Sequence, residues 1–140
     1  MSQTREIVSR ESLNEFIDEV DYLHDSVIHE ATIQNTCFVD DRGWMHGDTD
    51  LPDAKLLIQS QSADVIAVEV TLRRVSAFSL RFDLAPRLEG ELSGEKIVLY
   101  PNGRANAASS KIEAEEISYR LLPSEYRGKQ FVLASDASIE

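Results

Sequence analysis

A single change of hydrophobic period limits the folds open to this chain. Leu13, Phe16, Ile17 and Val20 recur at the three-and-four spacing of one helix face. From Val27 onward the spacing becomes two. Val27, His29, Ala31 and Ile33 alternate with Ile28, Glu30 and Thr32, and β-branched residues dominate. No second helical stripe of that kind follows. A lone amphipathic helix cannot bury its stripe by itself, so it must dock on the sheet that the remaining segments form.

The helix is predicted near residues 10–21. Ser9 or Ser12 can cap it, and Ser12 followed by Glu15 fits a capping box. "LHD" at 23–25 then ends the helix. His24 or Asp25 would satisfy orphan backbone groups there, and "SVIHE" starts a strand over 26–34 with His29 half-buried. Further strands are expected at Cys37–Val39, in "AKLLIQSQ", in "VIAVEVTLRRV" and in "SAFSLRFDL". In the third of these, Ile66, Val68, Val70 and Leu72 share one face. "LAPRLEGELSGE" reads as a loop. "KIVLY" reads as a strand, followed by a tight Asn-Gly hairpin turn in "PNGR". "KIEAEEISYRLL" fits either a helix, through its Glu and Ala, or a strand over 114–121; its strand neighbours favour the strand. "KQFVLAS" is the last expected strand.

With 140 residues, the chain has the length of one domain, spanning 1–140. The expected class is α+β: one N-terminal helix packed on a curled antiparallel sheet or sandwich of six to eight strands. No apolar run is long enough for a membrane span, and "MSQTREIVSR" is too polar for a signal peptide. The expected compartment is the cytoplasm, with no membrane partner. The lone Cys37, set in the apolar "TCFV", excludes an internal disulfide and reads as an inert thiol.

Two constellations have the residue types for chemistry. His24, Asp25, His29 and His46 could hold a metal if the loop after Val39 folds back on the first long strand. A transition-metal site wants three or four convergent ligands; on one strand His24 and His29 would point to opposite faces, so they converge only if residues 24–25 belong to the helix-to-strand turn. The second is "DDRGWMHGDTDLPD", where Asp40, Asp41, Asp48, Asp50 and Asp53 crowd one connection. Calcium favours such oxygen-rich loops, yet the glycine of an EF-hand is missing and Pro52 interrupts the run. Trp44, the only tryptophan, sits among these acids either as a core plug or as an interface anchor. There is no Gly-x-Ser-x-Gly elbow and no phosphate-binding P-loop. The adjacent Glu115 and Glu116 diverge on a strand, and Arg73, Arg74 and Arg81 read as partners for nearby acids. No cofactor is expected.

The charge is unevenly spread. Residues 1–53 carry thirteen acids and three bases, a balance of −10; residues 54–140 carry twelve and eleven. Phosphate backbones repel such a chain, which excludes nucleic acid as a partner. The acidic third can serve solubility, or it can face a basic protein partner. On the second reading the contact residues are Glu11, Glu15, Asp18 and Glu19 on the helix, with Asp40, Asp41, Trp44, Asp48 and Asp50 in the loop.

The junction "YLHDSVI" followed by a β-rich remainder resembles small uncharacterised bacterial α+β domains with an "LHD(S/A)xI"-like junction. Some of those look like immunity proteins that neutralise toxins. The resemblance covers seven residues and implies an α+β fold with a binding role; it carries no catalytic residue over. The expected function is therefore a non-enzymatic interaction module. The alternative is a metal-dependent enzyme or metal-binding protein built on the histidine set. A third reading is a homo-oligomer joined through a sheet edge or Trp44.

Overall fold

Two serines start the helix. Ser9 is extended (φ −152°, ψ 169°), and its hydroxyl accepts the Ser12 N–H at 3.1 Å while the Ser12 hydroxyl accepts the Ser9 N–H at 2.9 Å. This reciprocal cap satisfies two orphan donors. It replaces the expected Ser12–Glu15 box, because helix α1 (Arg10–Glu19) begins before Ser12. A computed structural model describes residues 4–35, 37–47, 51–60 and 67–122 of the chain.

The helix ends at Glu19 with Val20 as its cap, short of the expected limit. A 3₁₀ turn, Asp21–Leu23, follows. Asp21, Tyr22 and Leu23 have φ of 52°, 54° and 63°, and Asp25 has 55°. Left-handed backbone at a residue with a Cβ costs roughly 1–2 kcal/mol. Three hydrogen bonds hold it: Leu23 N–H to Val20 O at 2.9 Å, His24 N–H to Asp21 O at 2.6 Å, and Leu88 N–H to Tyr22 O at 2.8 Å. Leu23 is buried beneath the turn. His24 and Asp25 thus belong to a left-handed connection and do not end α1.

The described residues hold nine strands, one before α1 and eight after it: β1 (Arg5–Glu6), β2 (Ser26–Gln34), β3 (Phe38–Val39), β4 (Met45–His46), β5 (Asp53–Ser60), β6 (Ala67–Ser79), β7 (Glu89–Ser93), β8 (Lys96–Tyr100) and β9 (Lys111–Leu122). Seven form one open antiparallel sheet in the order β2-β5-β6-β9-β8-β7. The seventh, β1, pairs with β9 at Ser118 and Tyr119, beyond the stretch that β8 occupies. β3 and β4 make a separate hairpin.

Register sorts the side chains into two faces. Ala54, Leu56 and Ile58 lie opposite Leu72, Val70 and Val68, and Val70 lies opposite Tyr119. These join Ile28, Ile97, Leu99, Ile112, Ala114 and Ile117 in one core with Leu13, Phe16, Ile17 and Val20 of α1. Val68, Val70 and Leu72 share a face as period two requires; Ile66 lies outside the described residues. Phe16 stacks at a tilt on Tyr119, ring centroids 4.8 Å apart. Gly90 lets α1 approach β7: a Cβ there would lie 3.1 Å from Leu13 Cδ1 and 3.2 Å from Val98 O.

The differences from expectation have local causes. β6 is one strand of thirteen residues in place of two. It survives because Arg74 turns left-handed (φ 56°) and a bulge follows between Val75 and Ala77, so Leu72 and Val75 both reach the core. Residues 80–84, expected to continue as strand, are irregular, and the expected loop at 85–88 holds one bridge, between Arg87 and Asn102. β7 lies inside "LEGELS", expected as loop, because Gly90 packs under α1. The Asn-Gly pair makes no tight hairpin. Asn102 is buried, and its amide donates to Leu84 O and Ala85 O at 3.2 Å each. The chain then passes through a 3₁₀ turn, Arg104–Asn106, before β9. That last strand is strand throughout, longer than 114–121. Its acids meet bases: Glu113 pairs with Lys111 (3.0 Å), and Glu115 with Arg74 (2.8 Å). The "KQFVLAS" segment lies outside the described residues.

Phe16 is the largest fully buried side chain. Phe16→Ala should cost about 3–5 kcal/mol in denaturant melts. A loss under about 0.5 kcal/mol, the scale of surface changes, would mean that α1 is not docked.

Candidate functional site

A projecting turn is built by one carboxylate. Asp40 Oδ1 accepts the N–H groups of Arg42 and Trp44 at 2.9 Å each, and Gly43 N–H donates to Asp40 O at 3.0 Å. Asp40 N–H in turn donates to Trp44 O at 2.9 Å. Gly43 supplies the positive φ (87°) that such a turn needs. Asp40 Oδ2 lies 2.8 Å from His46 Nε2, and the His46 ring stacks on Phe38 at 4.8 Å and 14°. Cys37 closes the base: its N–H donates to Asn35 Oδ1 at 2.9 Å, and its thiol contacts Gly47 O. The hydrogen bond from His46, then those from the backbone, hold the Asp40 carboxyl below its ordinary value.

This scaffold displays apolar side chains. Phe38, Val39, Trp44 and Met45 are 59%, 62%, 68% and 74% exposed. Trp44 is therefore the exposed alternative of the two expected from the sequence. Val39 lies opposite Met45 and Phe38 opposite His46, so both faces of the hairpin are open. A two-stranded hairpin is marginal alone, which explains how much local hydrogen bonding Asp40 supplies.

The remaining acids divide by role. Glu11, Glu15 and Asp18 are exposed at helical spacing on α1. Glu19 is half-buried and pairs with Arg5. Asp41 is exposed in the hairpin turn, Asp40 is engaged within it, and Asp48 and Asp50 lie outside the described residues. Asp53 bonds Arg74 N–H at 3.1 Å and lies 3.7 Å from Arg73. Arg81, just past β6, pairs with Asp83, so Arg73, Arg74 and Arg81 are each set beside an acid.

The histidine set does not assemble. His24 is exposed, 3.2 Å from Asp25 and 3.9 Å from Asp21. His46 belongs to the hairpin. His29 is exposed at a bulge in β2, where the register steps from Ile28 to Glu30. The expected half-burial of His29 fails for that reason: the extra residue interrupts strand alternation. Among the described residues, no three of His, Cys, Asp and Glu form a group that could hold a metal.

The opposite sheet face holds an element that the sequence did not reveal. Glu69 is 95% buried beside Leu57, Ala67 and Leu122. Its Oε1 accepts Arg120 Nε at 3.0 Å and lies 3.9 Å from Lys55. Its Oε2 is buried with no hydrogen-bond partner. Glu69 lies within an alternating strand pattern, so its burial has no local signal. Its ion pair is a structural one, in which removing one partner strands a charge.

No family model matches the chain, and the comparisons with curated proteins and with solved structures found no match.

Two outcomes follow from the hairpin. Trp44, as the sole tryptophan, should emit as a solvent-exposed indole and be quenched more strongly by caesium than by iodide, because acids flank it. Blue-shifted emission resistant to both quenchers would mean that the hairpin is buried. The depressed Asp40 acidity adds a pH dependence with a definite sign. A carboxyl held below its unfolded value stabilises the turn above that value and loses the effect as pH falls through the folded one. Trp44 quenching should therefore be constant from neutral pH to about 5 and change only below about 4. Asp40→Asn should flatten that transition.

Proposed function

We propose that this chain is a non-enzymatic protein-interaction module that presents the Phe38–His46 hairpin to a basic protein partner. The reading rests on one observation: four exposed apolar side chains on a hydrogen-bonded hairpin that carries acids. Monomeric proteins rarely leave such groups contiguous and open. A tryptophan on a rigid turn can supply the buried centre of an interface, and the surrounding carboxylates can steer a positive partner toward it. The "YLHDSVI" junction resembles that of small bacterial α+β domains, some of them immunity-like, which agrees with a module whose task is to occlude another protein in the cytoplasm. The helix acids Glu11, Glu15 and Asp18 would extend the negative field beyond the contact itself.

A homo-oligomer is the second reading. β2 lies at one end of the sheet, with Val27 and Ile33 exposed. The bulge at His29 breaks the regular run of backbone groups that strand addition requires, which favours the hairpin as the contact.

Photocrosslinking from position 41 in cells of origin tests the proposal. A basic protein should be captured and then bind the purified chain directly. The double variant Trp44→Ala and Met45→Ala should weaken that binding at least about 30-fold, the scale of an interface hot spot. Added salt should slow association. Capture that is unchanged by the double variant would remove the hairpin from the interface. Capture of the chain by itself alone, with a dimer in sedimentation, would favour the second reading.

A further inference from the structure

We propose that the cleft between α1 and the Pro86–Gly90 segment binds a small organic oxyanion, a phosphate monoester or a carboxylic acid, through Arg10, Arg87 and Arg104. The cleft encloses about 860 Å³, within the range of small-molecule sites. Its walls are α1, the left-handed turn at Asp21–Leu23, the approach to β7 and the 3₁₀ turn that starts at Arg104. It lies outside the hairpin and needs no partner protein.

The arrangement of cations carries the inference. Arg10 Nη1 and Arg104 Nη2 both donate to a single acceptor, Gly90 O, at 3.0 Å each. Two guanidinium groups are thus gathered on one carbonyl oxygen, with donors to spare. The Arg104 guanidinium has a carboxylate only at 3.8 Å, from Glu91, while Glu89, which also lines the cleft, accepts the Arg104 backbone N–H at 2.8 Å. Arg10 and Arg87 pair with no carboxylate among the described residues. Arg10 also occupies the first position of α1, the positive end of the helix dipole, where a cation is disfavoured. Like charges brought together at an unfavourable place, in a chain with net charge −11, leave a site that an oxyanion would relieve.

The far end of the cleft sets selectivity. Asp18 lies eight residues along α1 from Arg10, about 12 Å at the helical rise, and Asp21 lines the same end. A second anionic group would be repelled there. The ligand therefore has one oxyanion at the arginine end and a neutral or cationic remainder. Ile17 and Leu88 give that remainder an apolar floor, and Tyr22, half exposed on the strained turn, gives it a wall. The left-handed turn is pinned to this cleft by Leu88 N–H on Tyr22 O, at 2.8 Å.

Calorimetric titration of the full chain at low ionic strength tests the site, with inorganic phosphate in one arm and hexanoate in the other. Saturable binding in either arm is expected, and the stronger arm identifies the oxyanion. Arg87→Gln and Arg104→Gln should each weaken it roughly tenfold, the scale of a charge-assisted hydrogen bond. Arg42→Gln, on the hairpin, should change nothing. Arg87 has no side-chain hydrogen bond to lose among the described residues, so its variant remains informative if Arg104→Gln unfolds. No saturable binding tighter than roughly 10 mM in either arm overturns the proposal. So does equal binding by the Arg87 variant, or an equal loss in the Arg42 control, which would mark general charge attraction.

Discussion

The fold depends on the contact between one helix face and one sheet face. α1 supplies Leu13, Phe16, Ile17 and Val20, and the sheet meets them with β9 and β7. Burying a side chain of this size contributes about 1.5–3 kcal/mol, so four of them are comparable with the whole net stability of a domain. Gly90 is part of the same constraint, because the spacing between α1 and β7 leaves room for no larger residue without displacement. Covering one face with one helix leaves the rest of the surface to other devices. The hairpin stands apart on its own hydrogen bonds, and the opposite face buries Glu69 against Arg120.

What could be read from the sequence follows from the range of the interactions responsible. The helical stripe and the alternation of Val68, Val70 and Leu72 are local patterns, and both appear in the core. The strand expected over 114–121 is present as well, within the longer β9, where cross-strand pairs outweigh the helix preference of its glutamates. The errors fall where a distant group decides. Asn102 looks like a turn residue until its amide is seen to tie down Leu84 and Ala85. "LEGELS" looks like a loop until Gly90 is seen beneath Leu13. His29 looks half-buried until the bulge lifts it out of alternation.

The candidate surfaces divide in the same way. Asp40, Gly43 and Trp44 lie within a few residues, so the acidic connection was legible, but the sequence left Trp44 either buried or exposed and gave no sign of Asp40's grip on His46. The arginine cleft was not legible at all. Arg10, Arg87 and Arg104 are far apart in the chain and share no motif; only the pairing of α1 with β7 brings two of them to one carbonyl oxygen. A charge tally also averages such a place away, since the chain is acidic by eleven.

The order of the strands has a consequence for synthesis. α1 and β1 leave the ribosome well before their partner strand, for Tyr119 follows Phe16 by about a hundred residues. At 5–20 residues per second, the apolar stripe waits roughly 5–20 seconds for its cover. During that interval Leu13, Phe16 and Ile17 are open to any sticky surface in the cell. The carboxylates of Glu11, Glu15 and Asp18, interleaved with that stripe, keep the unfinished chain solvated and mutually repellent. Acids and apolar stripe thus share the same turns of chain before the fold exists, and charge repulsion acts between copies already at that stage.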